Sequence, residues 1–124
     1  MKYSTYKQQE TKAPLTIPYY ISEGLENCAN IMQRVYEAMQ AGQIELRYNL
    51  TQEVVDIITH LNALVPGDES EPAFNTLHNY FEFAESMMLK VNIKNDPEIC
   101  KAMEKSFRDV SIAWRQAVDR LTTK

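Results

Sequence analysis

Apolar side chains recur three and four positions apart in four successive blocks, and this period dictates helices. The first block, about 17–41, carries Ile21, Leu25, Cys28, Met32, Val35, Tyr36 and Met39 on one stripe. The second, about 44–65, carries Leu50, Val54, Ile57, Ile58, Leu61, Leu64 and Val65. The third, about 72–94, carries Ala73, Leu77, Tyr80, Phe81, Ala84, Met87, Met88 and Val91. The fourth, about 97–121, carries Ile99, Met103, Phe107, Val110, Trp114, Ala117 and Leu121. Breaks stand between the blocks. Gly42 stops the first, Pro66-Gly67-Asp68 the second, and Asn95-Asp96-Pro97 the third, with Asp96 placed as an N-cap and Pro97 at the first helical position. Four amphipathic helices on short links predict an all-α, antiparallel up-down four-helix bundle over 16–124, preceded by an extended flexible arm over 1–15. The acidic run Asp68-Glu69-Ser70-Glu71 is expected at the tip of the longest connection.

Composition narrows the function. With 124 residues the chain makes one domain. Three glycines leave little material for a Gly-rich phosphate loop. A net charge of -4 argues against nucleic acid, whose binding needs a basic surface. Residues 1–89 sum to -7 and residues 90–124 to +3, so the C-terminal quarter is a basic segment on an acidic protein. Its plain reading is a solvated helix face; the functional one is a strip for an acidic partner. No stretch approaches a membrane span, and Met1–Thr11 lack the apolar core of a secretory signal. Two cysteines are too few for a disulfide framework and fit a reducing, cytoplasmic setting.

Catalytic chemistry finds no material. His60 and His78 sit mid-helix and read as surface or satisfied core histidines. A di-iron bundle needs Glu-x-x-His, but positions 57 and 75 are Ile and Asn. The cysteines have no zinc-ligand spacing, and Cys28 reads as a small core hydrophobe. Trp114 reads as a core anchor for the fourth helix. No catalytic residue, metal ligand or cofactor is expected.

Apolar surface is left over. A bundle helix needs one stripe a little wider than 100°. Ile44, Tyr48 and Val55 form a second patch on the second helix; Phe74, Phe83 and Leu89 fall outside the band of the third. Ile112 lies on the back of the fourth, and Tyr20 and Ile31 off the band of the first. Edge contacts account for any one of these, but a surplus spread over several helices marks a partner site. Ile44, Tyr48, Val55, Phe83 and Ile112 are its candidate contacts. A helical adaptor of the same shape for a regulator or another protein, and a homodimer through the same patch, are the competing interaction readings.

The order of residues resembles the FliS family, the cytoplasmic export chaperones of bacterial flagellin. The resemblance rests on Leu77, Tyr80-Phe81-Glu82-Phe83, Val91-Asn92-Ile93-Lys94-Asn95-Asp96 and Ala113-Trp114-Arg115, with Ile57-Ile58-x-x-Leu61 and Tyr3-x-x-Tyr6 in support. The first helix departs from the family pattern: Asn27 falls where the family's glycine would lie. The resemblance implies binding of the disordered C-terminal region of flagellin, which prevents premature polymerisation and aids delivery to the flagellar type III export gate. It links Tyr3 and Tyr6 on the arm to covering the client site or to docking on the export machinery.

Overall fold

The computed structural model describes residues 17–67 and 70–122, the last two by backbone alone. The arm 1–15 with Tyr3 and Tyr6 lies outside the described residues, as do Asp68 and Glu69 of the expected tip. Four helices occur among the described residues, and no strand: α1 (Ile17–Gln40), α2 (Ile44–Leu64), α3 (Pro72–Lys94) and α4 (Pro97–Thr122). Each begins and ends within a residue or two of the expected limits.

The breaks work by backbone geometry. Gly42 has φ +70°, a left-handed conformation that costs glycine nothing. The Gln43 amide then reaches the Ala38 carbonyl at 2.8 Å and the Gly42 amide reaches that of Met39 at 3.1 Å, a Schellman close of α1. Asn95 takes the same left-handed role after α3, with φ 50° and its amide on the Val91 carbonyl at 2.9 Å. One residue later the Asp96 carboxylate accepts the Glu98 amide at 2.9 Å and caps α4. Two adjacent side chains thus end one helix and start the next.

Cross-helix bonds fix two neighbouring pairs, α1–α4 and α2–α3, as antiparallel. Between α1 and α4, Gln33 donates to Glu104 at 2.8 Å near one end and Tyr19 donates to Asp119 at 3.1 Å near the other. Half-buried Arg108 donates to Glu26 at 3.2 Å, Asn30 at 3.1 Å and Glu104 at 3.2 Å. Ser22 and Ser111 meet in the interior, hydroxyl to hydroxyl at 2.7 Å, and Ser111 also donates to the Ser22 carbonyl at 3.0 Å. Between α2 and α3, Asn92 donates to Thr51 at 2.8 Å and Thr59 donates to Glu85 at 3.3 Å. His78 closes the far end of that pair, its ring facing the Asn62 amide and the Pro66 carbonyl.

The expected stripes make up the core. Leu25, Cys28, Met32, Val35, Val54, Ile58, Leu61, Phe81, Ala84, Val91 and Phe107 are all fully or almost fully buried. Burial pushes the Cys28 thiol well above its ordinary range and raises that of Cys100 to about 11, so both stay protonated at neutral pH. Four residues sit deeper than their periodicity indicates. Ile31 is buried, because α1 is flanked on two sides and uses a wider band than one stripe. Phe74 and Val55 are half-buried against the core, and Tyr20 is half-buried on α1.

α1 is the shared element, packing closely along both α2 and α4. α3 leans on α2 and meets α4 only sparsely. Of the three glycines only Gly24, one turn before Asn27, sits at a close helix approach. A Cβ there would lie 2.7 Å from both methyl carbons of fully buried Leu61. Gly24→Ala therefore sets overpacking of about 1–3 kcal/mol against a helix-propensity gain of about 1 kcal/mol. Chemical denaturation should show net destabilisation, reduced when Leu61 is trimmed by Leu61→Val. A stabilised Gly24→Ala variant would contradict the close approach.

Candidate functional site

The sparse seam between α3 and α4 opens into an apolar groove of about 300 Å³. Ala73, Thr76, Leu77 and Tyr80 of α3 line one wall; Val110, Ala113, Trp114 and Ala117 of α4 line the other. None of these side chains is charged. The groove exists because small residues face each other where a bundle would place large ones: Ala73 and Thr76, one turn apart, look toward Ala113 and Ala117, four apart.

Tyr80 sets the inner end. Its hydroxyl pairs with that of Ser106 at 2.7 Å, and its ring meets Phe107 edge-on at a centroid distance of 6.2 Å. Phe83 stands beside it, also at 6.2 Å, and extends the apolar surface past the groove. Trp114 occupies the opposite wall. Its indole N–H donates to the Pro18 carbonyl at 2.8 Å, which ties the start of α1 to α4. Trp114 packs against the core as expected, but it is only half-buried because it also lines the groove.

The five residues chosen from sequence do not form one patch. Phe83 adjoins the groove. Ile44, Tyr48 and Val55 share a stripe of α2, and the Thr51 and Thr59 bonds to α3 show that this stripe runs beside the α2–α3 seam. Ile44 and Tyr48 are exposed, whereas Val55 is half-buried. Ile112 is exposed on the back of α4 and does not reach the groove. Exposed Leu89 and Ile93 of α3 join the α2 stripe at its outer edge. The alanines were missed because a search for surplus large apolar residues cannot see a site made by small ones. Facing pairs of small residues at helical spacing were the available signal.

The arrangement offers shape and apolar surface rather than reactivity. Among the described residues no cluster of His, Cys, Asp or Glu could hold a metal ion, and no helix is long and apolar enough to cross a membrane. The fold is a helical bundle with an uncharged groove between two of its helices. Its family is plain from the sequence: the chain belongs to the FliS family, whose model, described as flagellar protein FliS, matches residues 2–121. This is a family of flagellar export chaperones rather than of enzymes. No match to the chain was found among curated proteins.

Burial holds the Tyr80 phenol up at about 12, against the pull of its bond to Ser106. The folded value exceeds the unfolded value of 10.0, so its contribution is whole below pH 10.0 and is lost as pH climbs toward about 12. Tyr80→Phe should cost about 1 kcal/mol at neutral pH through the lost hydroxyl bond. Urea midpoints of the two proteins should then converge as the pH rises from 9 toward about 12. A constant gap would place Tyr80 in a wetter setting than this.

Proposed function

We propose that this chain is a cytoplasmic export chaperone that binds the disordered C-terminal segment of flagellin, holds it back from polymerising, and aids its delivery to the flagellar type III export apparatus. The uncharged groove between α3 and α4 carries this reading. A disordered segment that later packs as helices in a filament has apolar side chains with nowhere to go in the cytosol. The groove gives them a place to bury without any charge to desolvate. Family membership supports the chaperone role.

Coupled folding and binding sets the scale. Ordering a free segment costs about 2–5 kcal/mol, so the client must bury more surface than one short groove supplies. Phe83 extends the site along α3. Ile44, Tyr48 and Val55, with Ile112 on the opposite side, are the further contacts a long segment would meet as it passes around the bundle. Tyr3 and Tyr6 on the arm are proposed to cover the client site or to dock on the export gate.

The test is isothermal titration of the full chain with the C-terminal region of flagellin from the same cell. Micromolar or tighter binding is expected. Filling the groove with Ala113→Leu and Ala117→Leu should weaken it at least about tenfold, the scale of one excluded aliphatic anchor at about 1.5–3 kcal/mol, while circular dichroism stays unchanged. Emission from Trp114, the only tryptophan in the chain, should move to shorter wavelength as the groove fills. No binding by an intact fold would end the proposal.

A further inference from the structure

The most exposed apolar side chains of the described residues lie away from the groove, at the corner where α2 begins and α3 ends. Ile93 is 72% exposed, Ile44 67% and Leu89 62%. Leu89 and Ile93 are four apart on α3, and Ile44 and Tyr48 four apart on α2, so each pair stands one above the other on its helix. The corner is held in place. Arg47 donates to Asn95, Asn92 donates to Thr51, and Asn95 itself is the left-handed cap of α3. A surface this apolar and this fixed is prepared for an occupant.

Charge says what kind. Leu89 and Ile93 are each followed by an exposed lysine, Lys90 and Lys94, again four apart. Three other cations of the basic quarter are engaged within the bundle: Lys105 pairs with Asp109 at 2.6 Å, Arg108 with Glu26 and Glu104, and Lys101 lies over the Tyr36 ring at 4.9 Å. Lys90 and Lys94 form no ion pair with any described residue. Lys94 complements the α3 C-terminus, but Lys90 lies a turn further in. Glu45, on the α2 side beyond Ile44, gives the corner an acidic edge opposite the lysines and so a direction. The groove, by contrast, has no charged residue in its lining.

We infer that the two surfaces take chemically different stretches of one client: the groove an uncharged apolar stretch, and the corner an acidic amphipathic one. At the corner the client's apolar side chains would lie along Leu89, Ile93, Ile44 and Tyr48, with its carboxylates over Lys90 and Lys94. This assignment rests on the proposed binding of a flagellin segment and adds to it the source of its salt dependence. Exposed ion pairs weaken with ionic strength, and apolar burial does not.

Titrations of the full chain with the C-terminal region of flagellin at 50 and 500 mM NaCl test it. Affinity of the unaltered chain should fall about tenfold across that range, the scale of two exposed ion pairs. The Lys90→Glu and Lys94→Glu double variant should bind about tenfold more weakly at low salt and tighten, rather than weaken, as salt rises. The Lys90→Gln and Lys94→Gln pair should fall between and lose the salt dependence. The groove-filling variant should bind weakly yet keep the full salt slope. Salt-independent binding of the unaltered chain, or charge reversal without effect, overturns the assignment and leaves the chaperone reading standing. No binding at either salt removes both.

Discussion

The bundle depends on how closely α1 approaches its two neighbours. Gly24 lets α2 come in until the Leu61 methyl groups touch backbone, and the Ser22–Ser111 pair lets α4 come in with two small hydroxyls that satisfy each other. A helix with close partners on both sides is a spine. α3 then has only the outer flank of α2 left to lean on, and its meeting with α4 is loose by consequence. The groove follows from where the chain spends its small residues: on α1 they draw helices together, and on facing parts of α3 and α4 they leave a space.

Much of this is legible in the residue order. Helix number, limits and caps follow from period and punctuation, because Gly42, Asn95 and Asp96 each meet a backbone requirement that few residues satisfy. Side-chain depth is less legible. A single-stripe rule assumes a helix with one neighbour, so it leaves Ile31 outside a core that wraps α1 from two sides, and it leaves Val55 free although α3 half-covers it. Trp114 shows the reverse: its size suggests the centre, yet its N–H needs an acceptor and finds one at the Pro18 carbonyl, on the rim. The site was legible in part. Large surplus residues marked the α2 stripe and Phe83, while the groove is written in alanines, whose meaning depends on what stands opposite.

The same logic separates the protein's two apolar surfaces by chemistry. The groove is a recess of small side chains without charge, suited to admitting bulk. The corner is an exposed surface of large side chains beside two ammonium groups that pair with no described residue.

The short joint between α3 and α4 bears on what the groove is before any partner arrives. Only Asn95 and Asp96 connect the two helices, and the Tyr80–Ser106 hydroxyl pair clasps them again part-way along. The recess lies beyond that clasp, and each of its walls is braced from behind: α4 by Trp114 on the Pro18 carbonyl and by Tyr19 on Asp119, α3 by His78 against Asn62 and Pro66. With both walls anchored to other helices of the bundle, the opening is a standing mould rather than a hinge.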